Sequence, residues 1–191
     1  MYETRQSFLE TLKEHGIKNK IPNISEETAG FLQFMIWLKK AKSILEIGAC
    51  NGYSTIWLAD ATEAFDGHVT SFELSKPQYE EALENFKKAG LSDRITLRLG
   101  DFTEEAVVGQ WCSDDTQYDL IFMDGQKSDY HVFWELVKPM MHEQTLVIVD
   151  DVLKFKEKCQ MFWDAVEGET DYVSHIVQTD EDDGVMLLQR K

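Results

Sequence analysis

Short apolar runs and helical stretches take turns along most of this chain. Ser43-Ile-Leu-Glu-Ile-Gly48 reads as a strand, and Tyr53 to Asp60 begins a helix. His68 to Glu73 is the next strand. The helix after it runs from about Pro77 to Ala89 and stops at Gly90, a favourable residue just past a helix end. Pro77 suits the first turn, because the N–H it lacks would be unpaired there. Ile95 to Leu99, Tyr118 to Met123 and Thr145 to Val149 supply three more strands, with helices between and after them. Two helices, roughly Tyr2 to His15 and Ser25 to Lys40, precede the first strand, the second capped by Ser25 ahead of Glu26 and Glu27.

Alternation of this kind predicts parallel strands joined by right-handed crossovers, hence an open sheet with helices on both faces. The ending breaks the rhythm. Tyr172 to Gln178 and Val185 to Gln189 are strands separated only by a short acidic turn, which makes a hairpin. The expected fold is α/β: a seven-stranded, mostly parallel sheet in the order 3-2-1-4-5-7-6, with only the seventh strand antiparallel. Residues 1–40 form N-terminal helices and residues 41–191 the core of one domain, a size that 191 residues can fill.

Composition narrows the class. The longest apolar stretches, such as Leu146 to Val149, are strand-sized and too short to cross a bilayer, so no membrane is expected. MYETRQSFLE has mixed charges and no apolar segment, so no secretory signal is expected either. Cys50, Cys112 and Cys159 are odd in number and widely spaced, which points to reduced thiols in the cytoplasm rather than a disulfide frame or zinc site. A formal charge of −16 repels phosphate backbones and anionic membranes, and so disfavours an extended nucleic-acid footprint. The run Thr179-Asp180-Glu181-Asp182-Asp183 reads as a solvated loop.

Candidate chemistry gathers at the strand ends. Glu46-Ile-Gly48-Ala-Cys50-Asn-Gly52-Tyr-Ser54 follows a strand and opens a helix, where a nucleotide-like ligand sits in such folds. Gly48 allows a sharp turn and close backbone approach, and its G-x-x-x-G spacing to Gly52 departs from the dinucleotide pattern, which argues against NAD and FAD. Glu73 ends the second strand, where a carboxylate can hold both ribose hydroxyls, and Asp101 follows the third, in reach of an adenine edge. Asp124 closes the fourth strand; Asp150 and Asp151 close the fifth. Three carboxylates converging at adjacent strand ends repel one another unless a cation is present, and an all-oxygen set suits a hard ion such as Mg²⁺, or another divalent cation such as Mn²⁺ or Ca²⁺. The five histidines show no ligand spacing.

The run EIGACNGYS resembles the cofactor loop of class I S-adenosylmethionine-dependent methyltransferases, in the branch that holds catechol and caffeoyl-CoA O-methyltransferases. Asp124, Lys127 and Tyr130 form a D-x-x-K-x-x-Y pattern similar to the metal-ligand and lysine segment of the cation-dependent members. The resemblance runs from about Ile24 to the C-terminus and implies a Rossmann-like methyltransferase fold. It implies that Gly48, Ala49, Ser54 and Glu73 contact S-adenosylmethionine and that Ile24 covers its methionine end. Glu46, Gly52, Asp101, Phe102 and Asp124 complete the expected cofactor set. By the same resemblance Asp124, Asp150 and Asp151 hold the metal and Lys127 is the general base. The implied substrate is a small catechol-like or vicinal-hydroxyl compound, since two adjacent oxygens can chelate one ion.

Departures from the family accompany the likeness. Cys50 stands where most class I enzymes have glycine, Asp151 where this branch usually has Asn, and Gln126 where plant relatives often carry an acid. Residues 152–168 lack the glycines that shape the plant substrate loop, and Phe155, Phe162 and Trp163 there read as helical core rather than pocket wall. Two rival functions stand beside the first. One is methylation of a hydroxylated uridine in tRNA, which the acidity of the chain opposes. The other is a non-catalytic S-adenosylmethionine-binding module, which the joint presence of Asp124, Lys127, Asp150 and Asp151 opposes. A homodimer is left open.

Overall fold

The computed structural model describes residues 2–112 and 116–191. Two helices lead, α1 (Tyr2–Asn19) and α2 (Glu26–Lys39), and strand β1 (Ser43–Ile47) follows. Then come α3 (Tyr53–Glu63), β2 (His68–Glu73), α4 (Lys76–Ala89), β3 (Ile95–Leu99), α5 (Glu105–Trp111) and β4 (Tyr118–Met123). The chain ends with α6 (Tyr130–Val137), β5 (Met141–Val149), α7 (Gln160–Glu167), β6 (Tyr172–Gln178) and β7 (Gly184–Arg190). The seven strands pair in the order β3-β2-β1-β4-β5-β7-β6, as expected. The pairs from β3 through β5 are parallel, and β7 runs antiparallel to both neighbours.

Period-two alternation builds two cores. Ile44, Leu120, Phe122 and Ile148 face one side of the sheet and pack with the buried faces of α1 to α4. Leu45, Ile121, Met123 and Val147 face the other and pack with Val108 of α5, Trp134 of α6 and Phe162 of α7. Both faces of the central strands are therefore covered, which is why those strands read as nearly unbroken apolar runs.

Three boundaries differ from expectation. Strand β5 begins at Met141 rather than Thr145, with a register irregularity opposite Tyr118 and Leu120. His142, Glu143 and Gln144 carry no apolar signal; Thr145 secures them by accepting from His142 N at 2.8 Å and donating to Tyr118 O at 2.7 Å. Helix α1 continues past His15 to Asn19. Residues 152–159 form turns rather than helix, so α7 starts only at Gln160. Among the described residues, no helix is long and apolar enough to cross a membrane.

Candidate active site

At the end of β1 the chain turns through Gly48, whose φ is +104° and where a Cβ would lie 2.5 Å from the Asp124 carbonyl oxygen. Only glycine fits that approach. Gly48 N and Ala49 N both donate to Phe72 O at 3.0 Å, which brings the loop over the end of β2. Cys50 N then donates to Glu73 Oε2 at 2.7 Å, and Ser75 N to Oε1 at 2.6 Å. Glu73 is thereby held by one backbone donor on each oxygen, with lone pairs left for a ligand. Gly52, at φ +86°, closes the loop against α4, and a Cβ there would meet Phe86 Cε1 at 2.5 Å. Gly52, at the N-cap of α3, has no side chain to cap it, and Asn51 Oδ1 instead accepts from Tyr53 N at 3.3 Å. Asp101 is braced in the same manner, its Oδ1 accepting from Thr103 N at 2.8 Å and Thr103 Oγ1 at 2.7 Å.

The parallel ladder continues one residue beyond β4 and β5. Asp124 N donates to Ile47 O at 2.9 Å and Asp150 N to Met123 O at 3.0 Å, which sets the carboxylates side by side. Lys127, on a short helical turn before α6, reaches back between them. Its Nζ lies 2.6 Å from Asp124 Oδ1 and 2.7 Å from Asp151 Oδ2. Burial works against its charge, but Asp124 and Asp151 outweigh that and hold the ammonium well above lysine's usual range. Burial pushes the Asp150 carboxyl well up, and the neighbouring Asp124 and Asp151 charges push it further. Tyr130 donates from its hydroxyl to Asp150 O at 3.1 Å, so the tyrosine of the D-x-x-K-x-x-Y pattern clamps the end of β5.

One cavity of about 1190 Å³ joins these two groups. Ile24, Gly48, Ala49, Ser54, Glu73, Asp101 and Phe102 line one part of it; Asp124, Lys127, Asp150 and Asp151 line another. Two expected cofactor residues do not reach it. Gly52 acts by letting α3 pack on α4. Glu46 is fully buried beneath the loop, where its Oε2 accepts from Thr55 Oγ1 and Ser71 Oγ at 2.5 Å while Oε1 has no partner. Burial raises its pKa to about 7 against the hydrogen bonds of Ser54, Ser71 and Thr55.

Two further residues at the cavity depart from expectation. Phe155 lines it, with Lys158 Nζ 4.8 Å from its ring centroid, whereas Phe162 lies in the core as expected and Trp163 packs against that core. The expected helix at 152–159 would have sent Phe155 inward; the turns there leave it at the rim. Asp183 is not solvated with the rest of its acidic run but buried against the cavity. Nothing in the local sequence signals this: Asp183 is held inside by the backbone N–H groups of Leu153, Lys154 and Gly184, each donating to its Oδ1. Among the described residues, no group of three or more His, Cys, Asp or Glu side chains is arranged to hold a metal ion. The Lys127 ammonium stands between two of the three expected ligands instead.

A family model described as O-methyltransferase matches residues 2–181 of the chain. The chain belongs to the O-methyltransferase family. It is similar to a catechol O-methyltransferase of Niastella koreensis, 29% identical over 133 residues that cover 69% of the chain and 59% of the relative. It is also similar to tapetum-specific methyltransferase 1 of Arabidopsis thaliana, 30% identical over 162 residues, covering 81% and 67%. The matches thus span about three-fifths to two-thirds of the length of these relatives. Among solved structures, an O-methyltransferase from Bacillus cereus in complex with SAH superposes with a TM-score of 0.86 at 25% identity, covering 97% of this chain and 91% of that one. Family membership accounts for the Rossmann-like sheet and for the loop that begins at Gly48.

Proposed function

We propose that this chain transfers a methyl group from S-adenosylmethionine to the hydroxyl of a small catechol-like or vicinal-hydroxyl compound, in a reaction that requires a divalent cation. The observation that carries the reading is the placement of Lys127 between Asp124 and Asp151, in the cavity that also holds Glu73. The cofactor side fits a nucleoside: Glu73 has free lone pairs facing the cavity, and Gly48 keeps the loop low where a Cβ would collide with backbone. The cation side fits by its donors. Asp124 and Asp151 already converge on one cationic centre, and Asp150 beside them carries a charge that its surroundings disfavour.

In this reading Glu73 holds the ribose hydroxyls and Phe102, edge-on to Phe72 at 4.9 Å, walls the adenine side. Ser54 and Ile24, both on the cavity wall, meet the methionine end. Asp124, Asp150 and Asp151 would hold the cation, and the chemistry it would supply is stabilisation of the negative charge on a deprotonated acceptor and partial neutralisation of the carboxylates around Lys127. Lys127 then accepts the acceptor's hydroxyl proton at Nζ as general base. The protein's remaining task is alignment of oxygen, methyl carbon and sulfur. Asp180, Glu181 and Asp182 at the cavity mouth oppose a polyanionic acceptor, which favours a small molecule over tRNA.

The test is methyl transfer from labelled S-adenosylmethionine to a panel of catechols and to bulk tRNA, with Mg²⁺ and with excess EDTA. Transfer to a catechol that EDTA abolishes, with cofactor affinity unchanged, is the expected result. Full turnover in EDTA overturns the cation requirement. Cofactor binding without transfer to any acceptor returns the chain to a binding module.

A further inference from the structure

Helix α2 is apolar on both of its faces. Ala29, Leu32 and Ile36 are buried against the rest of the chain, as an inward face should be. On the outward face stand Phe34, Trp37 and Leu38, which are 62%, 57% and 66% exposed. A helix apolar all round is ordinarily covered all round, and three large apolar side chains within two turns make a patch rather than scattered singles. Trp37 is also fixed in place. Its indole N–H donates to Ala61 O at 3.0 Å, which holds the ring where it is presented.

Gly30 continues the same stripe, because positions 30, 34, 37 and 38 share one helix face. It is exposed, and a Cβ built on it would meet nothing within 4 Å. Its φ is not positive, so neither space nor conformation inside the chain calls for glycine there. In the middle of a helix that glycine costs about 1 kcal/mol relative to alanine. The ends of the stripe carry opposite charges. Glu26 and Glu27 occupy the first turn of α2, Lys39 the last, and Lys40 is the C-cap. Lys13 Nζ takes up Glu26 Oε1 at 2.8 Å, and Lys39 Nζ donates to Gln144 O at 2.5 Å. Glu27 and Lys40 stay exposed at the two ends. The face is therefore its own complement when turned end for end: acid meets base, and glycine meets a large side chain. A net charge of −16 makes two copies of this chain repel as wholes, whereas this face is locally balanced.

We propose that the outward face of α2 is an interface with a second copy of this chain, in which the two α2 helices cross antiparallel about a twofold axis near Phe34. Phe34 then meets its counterpart, and Gly30 faces Leu38 of the second copy and lets the two backbones approach. The Glu27 end of each helix lies beside the Lys40 end of the other. The 14 residues of α2 span about 21 Å. One such helix pair falls short of the ~800 Å² per partner of a tight complex, so the dimer dissociates on dilution in the micromolar range.

Sedimentation equilibrium of the full chain over a concentration series tests this. Reversible monomer–dimer association is expected, and a chain that stays monomeric throughout overturns the proposal. Phe34→Glu sets like charges on the axis and should weaken association at least about 30-fold, as loss of a central anchor does. A dimer of unchanged affinity in that variant would lie elsewhere on the molecule and overturns the proposal too. Gly30→Leu should raise the Tm at concentrations where the chain is monomeric, since it adds a better helix former without a clash. The same change should weaken the dimer at least about tenfold, because it fills the gap that Leu38 of the second copy needs; a dimer as tight as wild type rules out the close crossing. Glu27→Lys and Lys40→Glu should each weaken association about 3- to 10-fold. Combined, they should return it to within about threefold of wild type, because exchanged charges pair again across an antiparallel crossing. No recovery in the double variant overturns that arrangement. All four positions are exposed, so circular dichroism should show every variant folded like wild type.

Discussion

The two parts of the cavity are built by different means. Around Glu73 and Asp101 the carboxylate oxygens are met by backbone N–H groups and a hydroxyl: Cys50 N, Ser75 N, Thr103 N and Thr103 Oγ1. Around Asp124 the partners are other charges. Lys127 is shared by two carboxylates, Asp150 is pushed toward its protonated form, and Asp183 Oδ2 has no donor. Hydrogen bonds from a fixed backbone complete the first part without any ligand. Like charges crowd the second part, and the proposed cation would add the positive charge that Lys127 supplies only to Asp124 and Asp151. Preorganisation of the donor side and charge excess on the acceptor side suit a reaction in which one ligand is bound by shape and the other by electrostatics.

The largest effect should come from the charge-built part. Lys127→Ala removes the proposed proton acceptor and should cost about 10²–10⁴-fold in methyl-transfer rate while cofactor affinity stays within a factor of about two. Raising pH should recover part of the loss, since hydroxide replaces the missing base. A parallel fall in cofactor affinity, measured calorimetrically, would show that the two parts are not separable. A smaller effect is expected from the backbone-built part. Glu73→Ala removes the proposed ribose contacts and frees the N–H groups of Cys50 and Ser75. Loss of one such charge-assisted contact, about 1.5–3 kcal/mol, weakens cofactor binding about 10- to 150-fold. The turnover of saturated enzyme should change little; unchanged cofactor affinity would contradict the assignment of Glu73.

Glu46 is the exception in the first part, and it sharpens the contrast in a measure of stability rather than rate. Its folded pKa of about 7 lies above the ordinary 4.5, so the folded state holds the proton more tightly. Below about pH 4.5 both states are protonated and the shift has no effect. Stability is then lost as pH rises toward 7, about 3 kcal/mol in all, because the unfolded side chain ionises while the buried one keeps its proton. Glu46→Gln cannot ionise and should flatten that part of the profile in urea denaturation at pH 5 and 7.5. An unchanged slope would place the pH dependence elsewhere.

Which strands form, and their order, could be read from the chain alone. Runs such as Tyr118–Met123 are apolar at every position but one, long enough only for a strand, and separated by helical stretches; crossover handedness does the rest. Most of the site was legible for the same reason. Parallel topology brings every strand end to one edge, so Glu73, Asp101, Asp124 and Asp150 had to share it. Depth was not legible. Glu46 was expected at the cofactor because it sits in the loop motif, yet its strand position points it under the loop, 0% exposed. Asp183 belongs by composition to a solvated run and by packing to the cavity, since two N–H groups of the distant turn at Leu153 and Lys154 close on it together with its neighbour Gly184 N. Local pattern determines which element a residue joins. Whether its charge meets water, a backbone donor or another charge depends on which distant segments fold against it, and only the tertiary structure decides that.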